Sequence, residues 1–321
     1  MTLAALRDRD CPICGSADAR PEVVSTRRAD YLPLADLTPF WFGIEKARCF
    51  FSYHRCSGCG LLYNPIFFGE AQLGELYATM PPNMNSVDGD AIAATQRGYF
   101  DAVAAACPLD GDYLEIGPDV GHIAGEAARR GRFDRFWLFE PNREVHDILS
   151  AAVSGQRARV FAGMSNLNAV PDGSVGLAVM VHLLDHLLDP VGMLEAVHRK
   201  LRPGGTLMLV THDERSLLRR VLGPRWPAFC LQHPELYNPA TIRRAVTQAG
   251  FADVAITRSR NVFPIDFLAR QAGAALGVRT EWMPLPRRAI GLRLGNIMTL
   301  ARRSTDQPAA MAVAERVEIS A

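Results

Sequence analysis

The strongest constraint on this chain is a pair of short cysteine knuckles near its start, Cys11-Pro-Ile-Cys14-Gly15 and Cys56-Ser-Gly-Cys59-Gly60. Each knuckle lets two thiolates converge on one ion, and the glycine after the second cysteine permits the tight turn. Two knuckles complete a Cys₄ shell of the kind zinc takes, and a closed all-sulfur shell predicts a structural ion, not a catalytic one. A redox pair is the competing reading, and Cys49 is the nearest alternative ligand. The separation between the knuckles exceeds that of a compact finger, so the intervening segment is read as an insertion. Seven cysteines, five of them before residue 60, argue for this local metal site over a disulfide framework. Cys107 and Cys230 read as buried thiols.

Beyond the knuckles the pattern changes. Residues 1–70 read as a small zinc-ribbon-like module, 71–110 as a helical connector with a polar loop over 80–90 able to act as a lid, and 305–321 as a disordered tail. Between 111 and 304, short apolar runs alternate with helical stretches. The expected strands are Tyr113–Ile116, Phe136–Phe139, Arg159–Phe161, Leu177–Val181, Thr206–Val210, Val254–Thr257 and, last, Asn296–Ala301. That alternation predicts an α/β fold, a Rossmann-like doubly wound sheet. Helices are expected over Val191–Leu201, ending at Arg202-Pro-Gly-Gly205, and over Ala240–Gly250 after Asn238-Pro239.

Charge and hydropathy narrow the function. Thirty-five basic against 34 acidic residues leave +1, which supplies no electrostatic footprint for a nucleic acid. No apolar run reaches the length of a membrane span, and the charged start lacks a signal peptide's apolar stretch, so a cytoplasmic protein is expected.

The segment Glu115-Ile-Gly117-Pro-Asp119-Val-Gly121 runs from a strand into a small-residue turn. The nicotinamide fingerprint G-x-G-x-x-G is absent, so a pyrophosphate has little to sit on. The next strand ends in Glu140, at the spacing where a carboxylate accepts both hydroxyls of a ribose. The combination suits a nucleoside without phosphates.

With these features in order, the sequence resembles the class I S-adenosylmethionine-dependent methyltransferases. Further landmarks are Ala162-Gly163, Val170-Pro-Asp-Gly-Ser174, His182-Leu-Leu-Asp185-His186-Leu-Leu-Asp-Pro190 and Leu201-Arg-Pro-Gly-Gly205. The knuckles, ending in Cys59-Gly-Leu-Leu-Tyr-Asn-Pro65, resemble those of a bacterial subgroup that includes sugar and natural-product methyltransferases. The resemblance implies S-adenosylmethionine as cofactor, with Glu115 and Gly117 near its methionine part and Gly121 closing the turn. It implies Glu140, followed by Pro141, at the ribose and Met164 or Ser165 near the adenine. Two positions depart from the family pattern: Asp119 replaces a glycine, and Met164 and Ser165 stand where an acidic residue is common.

Methyl transfer is an in-line displacement, so a base is needed only where the acceptor must lose a proton. His182, His186, His212 and His233 are the candidates, with Asp185 and Tyr237 beside them. His182-x-x-Asp185-His186 has the look of a metal cluster, yet its place at a strand-to-helix switch favours lining of the cofactor pocket. Gln232-His233-Pro-Glu-Leu-Tyr237 falls in an insertion that faces the acceptor in the resembling subgroup, and His233 is the expected base with Tyr237 beside it. The expected reaction is methylation of a small, sugar-like or natural-product metabolite. The rival is a catalytically silent binding or scaffold protein, favoured if Asp119, Met164 or the 80–90 loop plugs the pocket.

Overall fold

The computed structural model describes residues 6–25, 29–41, 50–78, 89–164, 166–276 and 288–305. Cys49, Ser165, positions 80–88 of the expected loop and all but the first residue of the expected tail lie outside them. Residues 89 and 90, read as loop, open the helix Gly89–Ala104.

Seven strands form the central sheet, numbered here in chain order: β1 (Asp110–Ile116), β2 (Arg132–Phe139), β3 (Ala158–Phe161), β4 (Val175–Val181), β5 (Leu201–His212), β6 (Phe251–Arg258) and β7 (Asn296–Arg303). Their spatial order is β6-β7-β5-β4-β1-β2-β3. β7 runs antiparallel to both its neighbours, whereas β5, β4, β1, β2 and β3 are mutually parallel. Every strand expected from the apolar runs is present. The fold is thus the expected α/β, Rossmann-like sheet, with one antiparallel strand, β7, set between β5 and the edge strand β6. The Arg202-Pro-Gly-Gly205 turn is the local exception: it lies inside an extended β5, where the β4–β5 pairing skips from Leu201 to Thr206.

Alternation along the strands sends side chains to two cores. Tyr113, Phe136, Leu138, Leu177, Val179, Met208 and Val210 pack with helices Gly89–Ala104, α1 (His122–Arg130) and α2 (His146–Ala152). Leu114, Ile116, Trp137, Phe139, Ala178, Met180, Leu207 and Leu209 face α3 (Pro190–Lys200) and α4 (Pro239–Gln248). Local chemistry starts both of these last helices. Asp189 accepts from the Gly192 amide ahead of Pro190, and Asn238 forms a capping box with Thr241 ahead of Pro239.

The amino-terminal residues build a second, four-stranded antiparallel sheet, in which Glu235–Leu236 pairs with Leu62–Tyr63, then Tyr53–Cys56, then Ala19–Val23. One of its strands therefore comes from far down the chain. Cys11, Ile13, Cys56, Leu61 and Tyr63 join the same apolar core as Tyr237, Ile242 and the α3–α4 face of the sheet.

Candidate functional site

The two knuckles fold as near copies. Gly15 donates to the Cys11 carbonyl at 2.8 Å and Gly60 to the Cys56 carbonyl at 3.0 Å. Both glycines have positive φ, 67° and 78°, the region where a side chain is strained. Sulfurs cross between knuckles, Cys11 to Cys59 at 3.4 Å and Cys14 to Cys56 at 3.5 Å, and all four lie within 4.8 Å of one another. Zinc–sulfur bonds of about 2.3 Å in a tetrahedron need sulfur–sulfur edges of about 3.8 Å, so the donor set fits the ion. The Cys59 sulfur, then burial, pushes the Cys11 thiol up; a divalent cation would offset that cost by taking thiolates.

The second feature lies at the carboxyl ends of the parallel strands. The chain leaves β1 towards β2 and β3 on one side and later fills β4 and β5 on the other, so the sheet changes direction between β1 and β4, where open α/β sheets bind ligands. Gly117 follows β1 with φ 74°, and its nearest neighbour on the Cβ side is Leu183, 3.6 Å from where that atom would stand. Gly121 donates to the Pro118 carbonyl at 2.8 Å and so closes the turn. A Cβ at 121 would meet Leu149 at 2.7 Å, which makes this glycine a packing contact between α1 and α2.

Glu140 stands at the end of β2, 6% exposed. Its Oε2 accepts from the Asp119 amide at 2.9 Å and its Oε1 from the Asn142 amide at 2.8 Å. Each oxygen keeps a lone pair for a further donor. The carboxylate fixes the Gly117–Gly121 turn from the neighbouring strand, and Asp119 itself adopts φ 50°. Burial, then the Glu140 charge, pushes the Asp119 carboxyl up to about 6, and burial also raises Glu140. Pro141 is half-buried beside it, and Met164, after β3, packs partly buried against the core. Glu115 points the other way from its strand neighbours Leu114 and Ile116. It accepts from the Tyr113 hydroxyl at 2.6 Å, and burial pushes it up to about 8.

Four imidazoles form the third feature. His182, at the end of β4, lies 4.7 Å from His212 at the end of β5; His212 lies 4.8 Å from His233, and His233 4.6 Å from His186, between ring centroids. His182 has φ 49°, an uncommon backbone for a non-glycine residue. Asp185, fully buried, brings Oδ2 to 2.5 Å from His212 Nδ1. A carboxylate accepts only, so Nδ1 carries a proton. Burial, together with the neighbouring imidazoles, pulls His182 and His186 down to about 3, so both are neutral.

His233 is held by the chain around it. Its Nδ1 lies 2.7 Å from the Ala228 carbonyl, an acceptor only, which fixes a proton on Nδ1. Burial alone would lower it, but the Cys230 sulfur at 3.3 Å and the Asp185 carboxylate outweigh burial and push the imidazole up to about 9. The His233 carbonyl accepts from Tyr53 at 2.8 Å and from Asn64 at 3.0 Å, both from the amino-terminal sheet. Arg55 pairs with Glu214, and Arg9 with the fully buried Glu235, across the same junction. Tyr237 sits apart from the ring series, fully buried in the core shared with Cys11 and Tyr63.

The structure thus gathers His182, His186 and His233 around Asp185 and His212, and sets Gly117, Asp119 and Glu140 together at the sheet's change of direction. Sequence reasoning had no means of pairing Asp185 with His212, or of finding that Tyr53 and Asn64 hold His233, because the partners lie far apart in the chain.

A doubly wound sheet with this strand order, a glycine turn after β1 and a carboxylate after β2 defines a methyltransferase-type cofactor fold. The chain matches the methyltransferase-domain family over residues 92–256, just over half its length, and belongs to that family. Membership implies S-adenosylmethionine as methyl donor. Solved structures of similar fold include the YcgJ protein of Bacillus subtilis, 15% identical, with 65% of this chain and 99% of that one covered at a TM-score of 0.47. An S-adenosylmethionine-dependent methyltransferase of Mesorhizobium loti is 18% identical over 64% of this chain and 98% of its own, TM-score 0.45. The [4+2]-cyclase SpnF is 18% identical over 65% and 81%, TM-score 0.46. Comparison with curated proteins gives no match.

Proposed function

We propose that this protein transfers a methyl group from S-adenosylmethionine to a small-molecule acceptor, a sugar-like or natural-product metabolite, and that a structural zinc on Cys11, Cys14, Cys56 and Cys59 stabilises the amino-terminal part. Glu140 carries the cofactor reading: a buried carboxylate with one lone pair free on each oxygen, at the carboxyl end of β2 beside Gly117, matches the two hydroxyls of a ribose. When bound, the cofactor supplies an activated methyl on a sulfonium. Glu140 holds the ribose, Pro141 lines it, Gly117 gives close backbone approach, and Met164 or Ser165, the latter outside the described residues, is assigned to the adenine. Asp119 orders the turn through its amide. Glu115, turned into the core against Tyr113, supports β1 from behind.

The acceptor side belongs to the rings. His233 is the proposed base: its Nδ1 proton is tied to Ala228, and with the imidazole pushed up to about 9 its Nε2 takes the acceptor's proton once the ring is in its neutral form. His182 and His186 line the pocket, and Tyr237 braces the His233 segment from the core. Residues 1–70 act as the zinc module, 71–110 as connector and lid, and 111–304 as the methyltransferase unit. A small acceptor is favoured because the proposed base is 6% exposed, beyond easy reach of a polymer, and the chain's formal charge is only +1.

The test is transfer of isotopically labelled methyl from S-adenosylmethionine in the presence of pooled small hydroxylated and amino metabolites, or of duplex DNA or transfer RNA. Label recovered in a small-molecule product supports the reading. Label recovered only in a polymer, or tight, salt-sensitive binding to one, contradicts it.

A further inference from the structure

We propose that His182, Asp185 and His212 form a second metal site, binding a divalent transition-metal ion through two imidazole nitrogens and one carboxylate oxygen. One donor atom from each lies within 4.8 Å of the other two. Bonds of about 2.0–2.2 Å imply donor separations of about 3 Å or slightly more, so an ion held by His212 Nδ1 and Asp185 takes the place of the proton between them, which leaves to solvent. The sequence places only His182, Asp185 and His186 near one another; the fold adds His212 from the end of the adjacent strand β5, and His212, not His186, completes the group.

Two orphaned atoms point to an ion. Asp185 is fully buried, and its Oδ1 has no hydrogen-bond partner, while Oδ2 is already engaged by His212. His182 Nδ1 is likewise buried without a partner. A buried carboxylate oxygen and a buried ring nitrogen, both unsatisfied, each cost free energy that one shared cation removes. The surroundings supply the outer support that such ligands use. Asn296, at the start of β7, has its side-chain amide 3.2 Å from His182 Nε2. With the amide turned to present its oxygen, Nε2–H donates to it and Nδ1 offers its lone pair to the ion. Two histidines and one carboxylate leave open positions on a transition metal. The site is distinct in chemistry from the all-sulfur group, and its occupancy does not depend on the methyl-transfer reading.

Cobalt(II) is the probe. It is added to the purified full-length protein with its zinc left in place, without cofactor, and both bound cobalt and visible absorption are followed. The expected result is one cobalt per chain with the weak bands of nitrogen and oxygen ligands and no sulfur-to-cobalt charge transfer. Asp185→Asn and His212→Ala should abolish that signal, and Asn296→Ala should weaken binding roughly 10- to 100-fold, as loss of a ligand's orienting partner does. His233→Ala should retain it. No cobalt bound beyond any that enters the thiolate group, or unchanged affinity in Asp185→Asn, would overturn the proposal. If Asp185→Asn fails to fold, the wild-type titration and Asn296→Ala decide.

Discussion

The Tyr53 hydroxyl donates at 2.8 Å to the main-chain carbonyl of His233, 180 residues further along the chain. Asn64 donates to the same carbonyl, and the Asn64 amide donates to Pro234. The amino-terminal sheet therefore does more than present cysteines: it holds the backbone that carries the proposed base. Tyr53→Phe removes a buried hydroxyl shared between the His233 carbonyl and, at 3.3 Å, that of Cys230, while Asn64 still donates to the former, so a stability loss of about 1 kcal/mol is expected. Urea unfolding measures it. Turnover should fall with cofactor affinity unchanged, since the affected carbonyl belongs to the acceptor side.

Metal and folding should be coupled at the knuckles. Cys14→Ser is expected to lose the zinc bound there and to destabilise the amino-terminal part, because the binding free energy of a structural ion is also folding free energy. Elemental analysis and limited proteolysis check this together. Full zinc content in Cys14→Ser and in a Cys56→Ser companion would place the ion elsewhere.

His233→Ala should reduce turnover by roughly 10²- to 10⁴-fold, the range for losing a positioned proton acceptor. Calorimetry with S-adenosylhomocysteine should show cofactor affinity nearly unchanged. Normal turnover would make His233 structural and move proton transfer to His182, His186 or solvent.

Glu115 supplies a pH dependence of stability. Burial raises its carboxyl to about 8, so the native state keeps a proton that the unfolded chain releases at its ordinary value near 4.5. The stabilising protonation is complete below that ordinary value and is lost as pH rises through about 8, so stability falls across this window, by on the order of a few kcal/mol. Asp119 and Glu140 shift in the same direction, so the difference between wild type and Glu115→Gln isolates the effect. Urea midpoints of the variant should change less between pH 5 and 8.5 than those of wild type; parallel curves would assign the pH dependence to other groups.

The parts legible in the sequence are those with local signatures. β4, Val175–Val181, is a near-continuous apolar run, as a strand covered on both faces must be. The knuckle glycines sit one residue past their cysteines, where the turn needs positive φ. Less legible was anything decided by partners distant in sequence. Glu235–Leu236 is too short to show a strand pattern, and it is a strand because Leu62–Tyr63 pairs with it. Arg202-Pro-Gly-Gly205 carries turn residues, yet β5 absorbs them as an irregularity against β4. His212 looks like any strand-end histidine until the fold sets Asp185 beside it. Gly121 resembles a cofactor glycine by position, but Leu149 occupies the space that its missing side chain leaves.

In the proposed reading, Glu140 holds the ribose of the methyl donor at the carboxyl end of β2. Calorimetric titration of S-adenosylhomocysteine into wild type and Glu140→Ala tests it most directly. Wild type is expected to bind, and the variant to lose about 1.5–3 kcal/mol, the range for hydrogen bonds to a charged group. No binding by wild type, or the same affinity in both, would contradict it.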